Sequence, residues 1–231
     1  MIILIIGKFK LYYLYRYILW KLGDTSPLTA VLKVTHECNL KCIHCPWRKW
    51  KVKDMSTKRW LKIIEEAREK GCILCIIEGG EPLLRKDLNV LIRHAKNMGM
   101  LVVVITNGML DFSSYNPDVF WLSIDGVNET YEKIRGKGTF TRLVKNIKKN
   151  KKKKIITLAT LSKVNVHDIE NISEFFSPIV DGIWFNFIYP YKDVKKIALN
   201  KKDRIKAAKK ILSIKSKYKI INSDSFLGNH A

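Results

Sequence analysis

A chain of 231 residues with 47% hydrophobic and 10% aromatic residues can bury one large domain, and these values exclude wholesale disorder. Five cysteines, an odd number with three of them inside eight residues, exclude a secreted disulfide framework and favour a reducing compartment with metal or redox use. The net charge of +22 suits polyanionic partners without selecting one.

The first 22 residues, MIILIIGKFKLYYLYRYILWKL, are an apolar block interrupted by Lys8, Lys10, Arg16 and Lys21. No basic segment precedes the block and no small-x-small cleavage site follows it, so a signal peptide is not expected. Its longest unbroken apolar run is too short to span a bilayer. Residues 1–23 read as an amphipathic helix that either packs on its own domain or lies at a membrane interface with its tyrosine, tryptophan and basic residues.

After Pro27 the pattern becomes regular. Short runs rich in β-branched and aromatic residues at 28–34, 72–78, 100–106, 120–125, 155–160 and 182–188 predict six strands. Helical patterns separate most of them. The first starts at the Ser56/Thr57 cap, repeats apolar residues at Trp60, Leu61, Ile63, Ile64 and Ala67, and stops at Gly71. A second stops at Gly99, and three more cover 139–150, 167–176 and 201–217. Residues 107–119 are weakly helical at best and predict a short irregular connection.

Lys145 to Lys154 carries seven lysines and reads either as a solvated helix end and loop or as an attraction to RNA or anionic membranes. Six strand–helix units predict parallel strands with right-handed crossovers. A closed eight-unit barrel needs about 250 residues. A partial barrel of six units and an open doubly wound sheet both fit.

Ligands of parallel α/β folds bind at the carboxyl ends of the strands. There the first strand is followed by THECNLKCIHCPW with Cys38, Cys42 and Cys45, the second by Glu78-Gly79-Gly80-Glu81-Pro82 and the third by Thr106-Asn107-Gly108. The fourth ends in Ser123-Ile124-Asp125-Gly126. Three thiols in C-x3-C-x2-C spacing suit zinc or an iron–sulfur cluster. His44 is too close to Cys45 for both to ligate comfortably, and Cys72 and Cys75 read as packing residues three apart in a strand. Three ligands without a credible fourth leave a [4Fe–4S] cube with one iron open. A non-catalytic zinc-bearing module stays as the alternative.

With GGEP after the second strand and SIDG ending the fourth, the cysteine loop resembles the radical SAM superfamily over roughly residues 28–220. The resemblance implies a partial (β/α)6 parallel barrel followed by a tail at 221–231. It implies a [4Fe–4S] cluster on Cys38, Cys42 and Cys45, and S-adenosylmethionine on the open iron, cleaved reductively to a 5′-deoxyadenosyl radical. Gly79 and Gly80 would let the backbone approach the methionine end. Glu81 would take the cofactor's ammonium, and Ser123 and Asp125 its ribose or carboxylate. Asn107 would stand beside them, His44 near the adenine, and Asn165 in the same region. Arg135 and Gly136 read as a loop over the site or a surface turn.

A reductase or ferredoxin-like electron donor is implied as partner. The lead YILWKLGDTSPLTAVLKVTHECNLKCIHCPW and the later FNFIYPY resemble the hopanoid-synthesis type and its archaeal relatives. That likeness implies a lipid or isoprenoid substrate and a cytoplasmic protein seated peripherally at the inner membrane face through residues 1–22. RNA or peptide modification is the alternative, with nucleic acid not favoured. No cysteine follows Cys75, whereas many members of these branches continue into a cysteine-bearing C-terminal region. The expectation is a core-only enzyme or a shortened form, its open side covered by another subunit or the membrane.

Overall fold

The computed structural model describes residues 10–49, 52–191 and 194–228. Its six strands are β1 (Thr29–Lys33), β2 (Leu74–Glu78), β3 (Leu101–Thr106), β4 (Val119–Ser123), β5 (Ile155–Leu161) and β6 (Gly182–Phe187). They form one parallel sheet in the order β1-β2-β3-β4-β5-β6. A doubly wound sheet reverses its strand order at a switch point. This sheet never does, so the winding is that of a barrel left open between β1 and β6.

Both faces of the strands are apolar, as a sheet covered on both sides requires. Cys75, Ile77, Val102, Val104, Phe120 and Leu122 belong to the larger core with the helices. The alternate residues Leu74, Ile76, Val103, Val119, Trp121 and Ile156 form a separate inner cluster. The helices are α1 (Lys10–Lys21), α2 (Thr57–Glu69), α3 (Leu88–Asn97), α4 (Asn128–Arg135), α5 (Thr139–Lys149), α6 (Ile169–Phe176), α7 (Lys201–Ile214) and α8 (Asp224–Gly228). Ser56 caps α2 by accepting from the Arg59 N–H at 3.3 Å, and the stops at Gly71 and Gly99 stand at φ +99° and +73°. Residues 107–118 carry no helix, as their sequence predicts.

Three features differ from the sequence reading or lie outside it. Residues 1–9 of the N-terminal block are outside the described residues, and the described helix is α1. Among the described residues no helix is long and apolar enough to cross a membrane. Arg135 is in neither a loop nor a surface turn: it closes α4, buried together with Tyr131 and Ile134. Local sequence hides this helix because its start has no side-chain cap of its own; the Asp168 carboxylate accepts from the Val127 N–H at 2.7 Å from across the fold. Finally, residues set apart as a tail pack on β6, with the Ile221 N–H donating to Ile183 O at 2.9 Å, Asn222 Oδ1 accepting from the Phe185 N–H at 2.9 Å, and Leu227 fully buried.

Cys72 and Cys75 lie in the outer core as expected, although Cys72 precedes β2 instead of sitting within it. Burial pushes the Cys75 thiol up to about 12. Iodoacetamide at pH 8 therefore leaves Cys75 of the native metal-free protein unlabelled while exposed Cys38 reacts, as read by peptide mass spectrometry. Equal labelling of the two would contradict this packing.

Candidate active site

A cavity of about 400 Å³ opens at the carboxyl ends of the strands. Cys38, Cys42 and Cys45 line it, and so do His44, Gly79, Gly80, Asn107 and Ser123. These eight predicted residues come from the loop after β1 and the ends of β2, β3 and β4. Glu81 and Asp125 stand behind this wall, fully buried, and so does Asn165.

The cysteine loop is held by backbone before any ligand is considered. Gly80 N–H donates to Thr35 O and Glu81 N–H to Glu37 O, both at 2.7 Å. A Cβ added at Gly79 would meet Thr35 O at 2.4 Å, and one at Gly80 would meet Glu37 O at 2.2 Å. The two glycines thus let the cysteine loop lie directly on the end of β2, in addition to the close cofactor approach expected of them. From β3, Asn107 Nδ2 donates to Asn39 Oδ1 at 2.7 Å and reaches Cys38 Sγ at 3.9 Å. From α4, Ile134 O accepts from the Ile43 N–H at 3.0 Å.

Glu81 ties neighbouring strand ends together. Its carboxylate accepts from Leu83 N–H at 3.1 Å, Thr106 Oγ1 at 2.7 Å and Asn107 N–H at 2.8 Å. Burial raises its pKa against the pull of those bonds. The sequence reading aims this group at a cofactor ammonium; the structure commits it to three internal donors.

Asp125 is engaged in the same way. Its Oδ2 accepts from Arg135 Nε at 2.7 Å and pairs with Nη2 at 2.6 Å, and its Oδ1 accepts from the Thr160 N–H at 2.9 Å. The third guanidinium nitrogen of Arg135, Nη1, lies 3.8 Å from Cys42 Sγ. One buried ion pair therefore links β4, β5, α4 and the cysteine loop. Asn165 braces this junction by donating to Asp125 O at 2.9 Å and Thr160 O at 3.0 Å, and its Oδ1 accepts from the Ser162 N–H at 2.7 Å. It is a brace behind the wall, not part of the lining.

His44 Nε2 stands 3.6 Å from Asp125 Oδ2. Burial, the largest influence, holds its pKa below the ordinary value despite that carboxylate, so the imidazole is neutral at pH 7. Among the described residues no three His, Cys, Asp or Glu side chains are already drawn together as a single-ion site.

Residues without a sequence-stated role also face the cavity: Lys33, Glu78, Thr160 and Asn186 line it, as do Tyr189 and Tyr191 beyond β6. Lys33 and Glu78 were visible as charges inside apolar strand runs, which is the signal that could have found them.

The donor set fits an iron–sulfur cluster. Three soft thiols from one loop face one cavity, His44 turns to Asp125, and Cys72 and Cys75 are buried in the other core. Six sequential parallel strands with such a loop over their carboxyl ends define a barrel-type enzyme core built around a thiolate-held cofactor. The family model of the Radical SAM superfamily matches residues 32–176, more than half the chain, and the chain belongs to that superfamily. Its members are enzymes that use a [4Fe–4S] cluster and S-adenosylmethionine.

Fe-coproporphyrin III synthase of Methanosarcina barkeri is 32% identical over 162 residues, which cover 64% of this chain and 40% of the relative. PqqA peptide cyclase of Xanthomonas oryzae pv. oryzae is 38% identical over 86 residues, 36% of this chain and 23% of the relative. The chain thus spans 40% or less of the length of these curated relatives. Streptococcus suis SuiB, crystallised bound to precursor peptide SuiA, matches with a TM-score of 0.74 at 19% identity, over 88% of this chain and 51% of SuiB. The two share the fold.

Proposed function

We propose that this chain is the catalytic core of a radical SAM enzyme acting on a peptide or small molecule held in the strand-end cavity. The observation that carries the reading is the opening of all three thiols of one C-x3-C-x2-C loop onto that cavity. When bound there, the cluster and S-adenosylmethionine supply a 5′-deoxyadenosyl radical by one-electron reductive cleavage. Cys38, Cys42 and Cys45 hold the cluster; Gly79, Gly80, Asn107 and Ser123 line the cofactor's place, with His44 offered to the adenine. Glu81, Asp125 and Asn165 act behind them as positioning residues, which is the reading their buried hydrogen bonds support.

Replacing Cys42 by alanine abolishes cluster assembly, measured as iron and sulfide per chain after anaerobic reconstitution. Far-UV circular dichroism stays as in the wild type, because this thiol serves the cofactor more than the core. Full iron content in the variant would sink the ligand assignment, and one zinc without iron or sulfide in the wild type would favour the zinc-module alternative. Electrons come from a reductase or ferredoxin-like donor, as the superfamily chemistry requires.

A peripheral membrane seat is a second reading, favoured by exposed Tyr17, Ile18 and Trp20 on α1 with Lys21 near both rings, 5.6 and 5.1 Å from their centroids. Arg16 anchors α1 to Asp24 and Ser26 ahead of β1, at the amino ends of the strands. The lysine run of α5 and the turn before β5 also lies at that end, away from the cavity mouth. Such a contact would tether the enzyme without feeding lipid or RNA to the cavity. Flotation on anionic liposomes should be lost on removing residues 1–22; failure of the intact chain to float would dismiss the tether.

A further inference from the structure

Lys33 and Glu78 are register partners at the ends of β1 and β2, and both face into the cavity. Lys33 Nζ lies 2.6 Å from Glu78 Oε1. Deeper on the inner face the strands present Leu74, Ile76, Val103 and Trp121, so the pair is a charged step on top of an apolar floor. An ion pair this accessible to solvent is weak support for the fold, because screening and the ordering of two side chains offset most of its attraction.

Neither charge is sealed by the other. The side chains of Lys33 and Glu78 keep 37% and 25% exposure, and the ammonium lies 4.8 Å from the centre of the Trp47 ring. Trp47 in turn meets Tyr191 edge-on at 6.1 Å, and Tyr191 meets Tyr189 at 4.7 Å. The step is thus bordered by an aromatic wall at the cavity mouth, where β1 and β6 fail to pair.

An ammonium offers three donors and a carboxylate two acceptor oxygens. One donor and one oxygen are used internally, leaving two donors and one acceptor oxygen side by side. A neutral amide partner would be served by an Asn or Gln; two full charges in a cavity are matched by a ligand with two full charges in opposite order. An α-amino acid carries them on a single carbon.

We propose that Lys33 and Glu78 form a receptor for the zwitterionic end of a free α-amino acid substrate, its carboxylate on Lys33 and its ammonium on Glu78. The aromatic wall selects an apolar or aromatic side chain. This inference deepens the radical SAM reading by naming a small-molecule class for the same cavity. The amino acid end of S-adenosylmethionine is the competing occupant, and the test separates the two.

The experiment is equilibrium dialysis of individual labelled proteinogenic L-amino acids against reconstituted protein saturated with S-adenosylmethionine. At least one apolar or aromatic amino acid should bind the wild type, and its N-acetyl amide should not. Lys33→Gln and Glu78→Gln should each weaken that binding about tenfold or more, the loss of one charge-assisted hydrogen bond. The double variant Lys33→Glu/Glu78→Lys should recover part of it, and carries the comparison if a neutral variant unfolds. Absence of any amino acid binding, equal binding of the blocked derivative, or unchanged binding by the variants would overturn the proposal. So would variants that lose S-adenosylmethionine instead, which assigns the pair to the cofactor. Failure of the parent reading is seen separately, as wild-type protein that assembles no cluster. Dialysis then proceeds on metal-free protein, where the pair is already formed.

Discussion

Arg135→Met should remove about 3–5 kcal/mol of folding stability, the typical cost of leaving one member of a buried ion pair without its partner. Asp125 is fully buried, and Arg135 supplies the two close contacts to its Oδ2, with His44 Nε2 farther off at 3.6 Å. The loss falls on the site as well as on the fold, since the same guanidinium lies 3.8 Å from Cys42 Sγ and the neighbouring Ile134 O holds the loop at Ile43. The double variant Arg135→Met/Asp125→Asn should recover a good part of that stability. Asparagine keeps an oxygen for the Thr160 N–H while removing the stranded charge. Urea unfolding of the three proteins measures this; a single variant as stable as wild type would mean that the buried pair does not hold the junction.

The second large effect is predicted for Gly80→Ala. The added carbon would sit 2.2 Å from Glu37 O, a backbone atom that cannot move without the cysteine loop. Overpacking of this kind costs about 1–3 kcal/mol. The greater consequence is that Cys38, next to Glu37, is displaced from its place on the cavity. Iron per chain after reconstitution should collapse, with the far-UV spectrum retained. Gly228→Ala, where an added Cβ meets nothing within 4 Å, is the control and should leave both unchanged. Normal iron loading in Gly80→Ala would show that the double glycine is not what seats the loop.

These two positions fall on opposite sides of what the sequence made legible. The double glycine, the cysteine spacing and the SIDG turn are local signals, each read from a few adjacent residues, and the parallel direction of the strands, though not their order in the sheet, follows from the alternation of strand and helix. All six described strands and the irregular stretch after β3 were visible for that reason. Arg135 was not. Its meaning depends on a helix whose N-terminal cap comes from Asp168, and on a partner ten positions earlier that only the fold turns toward it. The same limit applies to Glu81 and Asp125. The radical SAM resemblance pointed to them as cofactor contacts, but only the packed structure reveals that their oxygens are occupied by Asn107, Thr106, Thr160 and Arg135. Sequence patterns locate a strand end; which way a buried carboxylate turns is decided by the donors that surround it.

The charge of +22 illustrates the opposite case, a conspicuous feature with a modest structural reading. Within the lysine run, Lys149 pairs with Asp111 at 2.5 Å and Lys153 donates to Tyr115 O at 2.8 Å, so two of its members fasten the turn before β5 to the connection before β4. That end of the sheet is remote from the thiols. The lipid substrate implied by the hopanoid-type likeness draws no support from the relatives, whose names concern a porphyrin and a peptide.

The central claim, that the three-cysteine cavity carries radical chemistry, is tested most directly by assaying 5′-deoxyadenosine. Anaerobically reconstituted protein would be treated with dithionite and S-adenosylmethionine. The account predicts about four irons per chain and formation of 5′-deoxyadenosine with methionine, both lost in Cys42→Ala. A protein that binds no iron, or that loads a full cluster and leaves S-adenosylmethionine intact, would contradict it.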